Sequence, residues 1–243
     1  MSALEGWQQG RHTADGTTRD TYRRGTGPGV VVIHEIPGLT PEVVAFADEV
    51  VERGFTVVLP HLFGTPGRGA GPGHVARALR QVCVNGEFVK LATGTTAPVT
   101  GWLRSLAREL HAELGGPGVG ALGMCFTGGY ALAMMLDDAV VAPVLAQPST
   151  PFPVGRRRSA DVGLSDEDLA IVRRRAAAGC PVLGLRYADD PAVGRRFDTL
   201  RTELGERFVA VEFPGRRHAT LTLHRQQEGV DAVLDFLDER LRS

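Results

Sequence analysis

Chemistry in this chain starts at Cys125. It lies in Gly123-Met124-Cys125-Phe126-Thr127-Gly128-Gly129, between the short apolar run Val119–Met124 and the helix formers Tyr130–Leu136. That succession reads as strand, abrupt turn and helix. A nucleophile held on such a turn needs small neighbours so that strand and helix can close on one another; Gly123 supplies one, two residues ahead. Two residues after the cysteine stands Thr127 in place of a second small residue, which predicts a looser turn. At the start of a helix the exposed N–H groups favour a thiolate, and the N–H of Phe126 is placed to donate to an oxyanion. A buried, inert core cysteine has the same local signature, because free cysteines are commonly buried. The rest of the chain has to separate the two.

In a doubly wound sheet, ligands collect beyond the carboxyl ends of the strands. The candidate residues in the segments that follow predicted strands are Glu35, His61, Cys125, Asp189 with Asp190, and His218. In chain order these give a nucleophile, a carboxylate and a histidine: a thiol to attack, an imidazole to move its proton, and an acid to fix the imidazole tautomer. Each also has a bland reading. Asp189-Asp190-Pro191 is a good helix start, and His218 in Pro214-Gly215-Arg216-Arg217-His218 is an ordinary loop histidine by position alone. Their coincidence at three strand ends favours the chemical reading. Successive residues leaving a strand point in different directions, so only one of the two aspartates can reach His218. His34, Glu35 and His61 would bring two strand ends together around a metal, but their spacing matches no hydrolytic zinc motif; neither a metal nor a cofactor is expected.

The elements that must position these residues alternate strand and helix. Arg11 to Arg24, with Asp15-Gly16 as its turn, reads as a hairpin or pair of edge strands. Gly29–His34 is a buried strand, Thr40 caps a helix with Pro41 in its first turn and Gly54 at its end, and Phe55–Leu59 returns as a strand, which makes a βαβ unit. Leu62–Gly73 is too rich in Gly and Pro for a regular element. A helix is expected around His74–Val82, Cys83–Pro98 is ambiguous, and Val99–Leu114 is an amphipathic helix. Beyond the elbow, Val140–Leu145 is a strand and Gln147-Pro148-Ser149-Thr150-Pro151 opens a polar loop carrying Arg156–Arg158, a solvated charge run. Ser165 with Asp168 forms a capping box for a helix to Ala178. A strand Val182–Tyr187, a helix Pro191–Leu204, a strand Phe208–Phe213 and a helix Gly229–Leu241 complete the chain. This pattern predicts an α/β fold with a mostly parallel central sheet and helices on both faces, in one domain spanning 1–243, with 1–28 as N-terminal edge strands and 29–243 as the core.

Lys+Arg 27 against Asp+Glu 28 leaves a formal charge of −1, which gives no electrostatic case for nucleic acid or an acidic membrane surface. Small neutral partners fit better. Lys90 is the one lysine, and no function attaches to it. Three cysteines cannot all pair, no signal-like run occupies Met1–Gly16, and no stretch approaches the length of a membrane span, so a soluble protein in a reducing cytoplasm is expected.

Together, Gly123-Met124-Cys125-Phe126, Val32-Ile33-His34-Glu35-Ile36-Pro37-Gly38, Leu59-Pro60-His61-Leu62-Phe63, Asp190 with Val193, and Gly215 ahead of His218 resemble the dienelactone hydrolases. The resemblance runs from about Val30 to the C-terminus and is weakest between Gly64 and Pro98. It implies an α/β-hydrolase fold and cleavage of a small ester or lactone through a cysteinyl acyl intermediate, without a cofactor. It implies Cys125 as nucleophile, His218 as base, Asp190 as its orienter, and Glu35 as a carboxylate that accepts a hydrogen bond from the resting thiol until substrate displaces it. The oxyanion donors would be the N–H groups of Ile36 and Phe126. Two positions depart from the family: Thr127 replaces its glycine after the nucleophile, and Thr222 replaces the arginine that follows its histidine and helps hold a substrate carboxylate. The second departure points away from dienelactone itself. Arg77, Arg80, Arg216 and Arg217 are the candidates for a substitute cation. Two other classes compete, a thiol redox protein built on Cys125 and a noncatalytic relative that only binds a ligand; the first lacks a resolving cysteine nearby in sequence and the second does not need the triad.

Overall fold

The run Val119–Met124 forms a strand buried along its whole length, and the other strands assemble around it. The computed structural model describes residues 3–88 and 91–242; Lys90 lies outside the described residues, as do Met1, Ser2, Val89 and Ser243. The strands are β1 (Gln8–Ala14), β2 (Thr17–Arg24), β3 (Gly29–Ile33), β4 (Thr56–Pro60), β5 (Val119–Met124), β6 (Val140–Ala146), β7 (Val182–Tyr187) and β8 (Phe208–Phe213). They form one sheet in the order β1-β2-β4-β3-β5-β6-β7-β8. β3 to β8 pair in parallel, whereas β2 joins β4, and β1 joins β2, antiparallel. The mostly parallel α/β-hydrolase sheet predicted from the sequence is what forms. The chain leaves β3 toward β4 and returns on the other side of β3 as β5, so the order reverses between β3 and β5, where ligands collect in open parallel sheets.

Side chains alternate across each strand and so feed two cores. Val30 and Val32 of β3 and Leu122 and Met124 of β5 pack with α1 (Pro41–Glu52) and α8 (Gln227–Leu241). Val31, Ile33, Val119 and Ala121 face the other layer, made by α2 (Pro72–Val84), α3 (Val99–Leu114), α4 (Gly128–Met134), α6 (Asp166–Ala177) and α7 (Arg196–Leu204). Burying each such Val, Leu or Ile contributes about 1.5–3 kcal/mol, which is why apolar strands of five or six residues suffice to hold polar loops at their ends. The β1–β2 hairpin is tied to α3: Trp102 Nε1 donates to Thr17 O at 3.1 Å, and buried His12 meets Glu109 at 2.9 Å and Ser105 at 3.2 Å.

Thr40 caps α1, its hydroxyl accepting from Val43 N. Three expectations need amendment. Arg156–Arg158 are not in a loop but in the short helix α5 (Gly155–Ala160), which has no buried residue, so its charges still face solvent. The helix expected from Pro191 begins only at Arg196, because Asp190 Oδ1 captures Ala192 N and Gly194 adopts φ +60°, both of which interrupt a helical start. The Ser165 box is half direct: Ser165 Oγ accepts from Asp168 N, but the Ser165 N–H reaches the Asp168 carboxylate through the hydroxyl of Thr96. No helix among the described residues is long and apolar enough to cross a membrane.

Candidate active site

Cys125 sits at the carboxyl end of β5 with φ +54°, a left-handed conformation that a side-chain-bearing residue adopts only under constraint. The constraint is visible. A Cβ on Gly123 would lie 2.2 Å from Thr127 O, so only glycine lets the turn close there. Thr127 itself takes φ −94°, ψ 0°, where no glycine is required. Its hydroxyl accepts the Met124 N–H and lies 3.1 Å from the carbonyls of Ile33, His34 and Met124, donating to one of them at a time. The looser turn predicted from Thr127 is therefore not found. The fully buried threonine instead ties the elbow to the end of β3.

Across the sheet, β7 and β8 deliver the next two residues. His218 Nδ1 lies 2.5 Å from Asp190 Oδ2, and the Asp190 side chain is 2% exposed. Asp190 Oδ1 is occupied by the Ala192 N–H at 2.9 Å, so both carboxylate oxygens are fixed. Asp189 points to solvent, as expected from the alternation of successive residues. Burial opposes a charge on His218, but hydrogen bonds to Asp190 and Cys125, with the negative charge of both, prevail and push its pKa from 6.5 up to about 10. With Nδ1 committed to Asp190, Nε2 is the atom left for the thiol.

Glu35 follows β3 and is buried. The resemblance predicts that it accepts a hydrogen bond from the resting thiol, but the structure gives another arrangement. Glu35 Oε1 accepts from the Thr222 hydroxyl, while Cys125 Sγ meets Ser149 Oγ at 3.5 Å and faces His218, whose charge it favours. Thr222, standing where the family has arginine, offers a short neutral donor that holds the carboxylate on its own side. Desolvation raises the Glu35 pKa, opposed by the Thr222 hydrogen bond, the His218 charge and the Gln147 amide. Gln147 is fully buried. Its Oε1 accepts from both N and Oγ of Thr220, at 3.1 and 2.6 Å. Its Nε2, which has no hydrogen-bond partner of full geometry, turns toward Glu35. The N–H groups of Ile36 and Phe126 have no acceptor among the described residues. Arg77, Arg80, Arg216 and Arg217 are all exposed.

Sequence reading missed Gln147, Ser149 and Arg196, although Gln147 and Ser149 follow β6 and the strand-end rule that found Cys125 would have flagged them. Arg196 carried no signal, since a charged residue early in a helix is expected at the surface. It is 1% exposed. Its guanidinium donates to Pro151 O, Arg158 O, Ala192 O and Val193 O, and desolvation lowers its pKa to about 10. It clamps the segment after β6 to the loop that carries Asp190.

The rest of the neighbourhood is apolar or satisfied. Phe63, Phe88, Tyr130 and Phe152 pack around Phe126 with ring centroids 5.9 Å away. His34 turns Nδ1 to Glu35 O at 3.0 Å and accepts the Leu62 N–H at 3.1 Å; burial lowers its pKa to about 3. Both ring nitrogens are thus engaged, and among the described residues no group of three His, Cys, Asp or Glu is arranged to hold a metal ion. A cavity of about 650 Å³ lined by Arg19, His61, Phe63, Gln81 and Phe88 includes neither Cys125 nor His218, so it is separate from the strand-end cluster. All three cysteines are unpaired. Cys180 contacts the carbonyls of Val140 and Val141 at the amino end of β6, the opposite end of the sheet from Cys125.

A reversing parallel sheet with a strained strand-to-helix elbow at its centre defines an α/β hydrolase. The sequence pattern of the dienelactone hydrolase family matches residues 18–231, and the chain belongs to that family. Among curated proteins no significant match is found. Among solved structures, a dienelactone hydrolase-like promiscuous phosphotriesterase from metagenomic libraries aligns at TM-score 0.67 and 16% identity, covering 97% of this chain and 98% of that one. A candidate dienelactone hydrolase from Klebsiella pneumoniae subsp. pneumoniae gives 0.65 and 17%, covering 96% and 98%. A cold-adapted esterase from an Arctic intertidal metagenomic library gives 0.59 and 20%, covering 97% and 93%. At these identities the likeness is one of fold.

Proposed function

We propose that this protein hydrolyses small, uncharged esters or lactones through a thioester on Cys125. The observation that carries the reading is the His218–Asp190 hydrogen bond beside Cys125, with the thiol on a strained elbow. Cys125 passes its proton to His218 Nε2 and attacks the carbonyl carbon. The oxyanion takes hydrogen bonds from the free N–H groups of Ile36 and Phe126. His218 then protonates the leaving alkoxide, and in the second half removes a proton from water as it attacks the thioester, returning the thiolate. Asp190 holds the tautomer. Glu35 moves no proton; it regulates the pair by its charge, steadying the imidazolium and repelling negative charge on sulfur. The exposed arginines and Thr222 support neutral substrates over carboxylate-bearing ones.

Aryl esters of graded chain length screened beside several lactones identify the substrate class, and intact mass after rapid quench reads the acyl adduct. Cys125→Ala is expected to abolish both adduct and turnover. Near wild-type hydrolysis by this variant would sink the proposal.

A further inference from the structure

Ser149 has no part in the mechanism above, yet its hydroxyl lies 3.5 Å from Cys125 Sγ. The residue is 4% exposed. Its own N–H donates to Cys125 O at 3.0 Å, and the next residue, Thr150, donates to Phe126 O. Two successive residues after β6 are thus stitched to two successive residues of the elbow, which fixes where the Ser149 side chain can point. Arg196 holds the same segment from behind through Pro151 O.

We propose that the Ser149 hydroxyl is a catalytic donor to the Cys125 thiolate, so that the resting nucleophile is held between Ser149 and His218 and not by the Glu35 carboxylate. This rests on the reading of Cys125 as nucleophile. A hydroxyl carries one proton and two lone pairs. Beside a thiol it accepts or donates weakly, but beside a thiolate it turns its proton to sulfur and makes a charge-assisted bond, roughly twice as strong as a neutral one. The bond therefore strengthens whenever sulfur is anionic: once His218 has taken the thiol proton, and again as sulfur leaves the tetrahedral intermediate in deacylation. Interactions that grow with developing charge are the ones that raise turnover. The charged and titratable groups facing the sulfur and its partner are His218 from the loop after β8, Asp190 behind it from the loop after β7, and Glu35 from the end of β3, held by Thr222 and facing His218. The elbow adds the free N–H of Phe126, and the segment after β6 adds Ser149.

The test is site-resolved alkylation of the full chain by iodoacetamide between about pH 4 and 10, read by peptide mass at Cys125, for the wild type, Ser149→Ala and Ser149→Thr. Ser149→Ala is expected to move the inflection up by about one pH unit, a roughly tenfold loss of thiolate on its acid side. Turnover of a short aryl ester should fall most on the acid side of the inflection and stay below the wild type above it, because the donor is also missing when sulfur leaves in deacylation. Ser149→Thr keeps the hydroxyl and restores the inflection, which a packing effect would not. Should Ser149→Ala not fold, Ser149→Gly lacks the hydroxyl as well and carries the same comparison. An unmoved inflection in the hydroxyl-free variant, with Cys125→Ala inactive, overturns the Ser149 assignment alone; an active Cys125→Ala overturns the nucleophile.

Discussion

Replacing Asp190 by an asparagine changes one atom and reverses the information that His218 receives. The Ala192 N–H occupies Oδ1 at 2.9 Å, so the substituted amide keeps its oxygen on that side and presents its NH₂ to His218 Nδ1. The ring must then accept at Nδ1 and carry its proton on Nε2, the tautomer that cannot take a proton from the thiol. The negative charge that helps hold the imidazolium is lost at the same time, so the pKa of His218 falls from its raised position. The comparable change in serine proteases costs about 10⁴ in kcat, or roughly 5.5 kcal/mol of barrier at about 1.36 kcal/mol per tenfold. A loss of that order is expected here, with the fold intact because the Ala192 contact survives. Asp189 is exposed and enters the structure through its backbone N–H to Gly215 O at 3.1 Å. Asp189→Asn should lose less than about tenfold, as surface changes do. Initial rates with a short aryl ester, measured for both amide variants with thermal melts beside them, decide the matter. The reverse ranking, or an Asp190→Asn enzyme within about tenfold of the wild type, would refute the tautomer reasoning.

Two further outcomes follow from the site's geometry. Glu35 has its folded pKa raised above the ordinary 4.5. Such an acid is neutral in both states below that value and destabilises the fold as pH rises through its folded pKa. Glu35→Gln should therefore match the wild-type Tm near about pH 4 and exceed it near about pH 8, and a gap that does not change with pH would contradict the assignment. Thr127→Val removes the acceptor for the Met124 N–H in a fully buried turn. It should cost about 1–3 kcal/mol, visible as a Tm lower by several degrees, and a Tm within a degree of the wild type would show that the hydroxyl is dispensable.

The sheet was legible because its strands announce themselves: Val30–Ile33 and Val182–Leu185 are apolar runs with turn residues at their ends, and buried parallel strands need little else. That Cys125, Asp190 and His218 gather at one end of the sheet was legible for a related reason, since each lies in the turn or loop that follows such a run. The contacts of Glu35 were not. Which donor a carboxylate takes depends on rotamers and on the loop carrying Thr222, nearly the whole chain away, and no local pattern encodes that pairing. The resemblance supplied the wrong partner because the residue that differs is the one that decides. The delayed start of α7 was hidden likewise: Pro191 is a sound helix opener by type, and only the capture of Ala192 N by Asp190 shows why the chain turns first.

Arg196 has a consequence for how the site comes apart. Its acceptors, Pro151, Arg158, Ala192 and Val193, belong to segments that meet only after β6 and β7 have paired, and a permanent cation released from them would stay buried without acceptors unless both segments move away together. Opening the Asp190 loop alone or the Ser149 segment alone is thus penalised, and the two exchange their amides with solvent as one cooperative unit. A fluctuation that frees the Asp190 loop is therefore expected to disturb the surroundings of Cys125 as well, whereas the loop that carries His218 has no tie to Arg196.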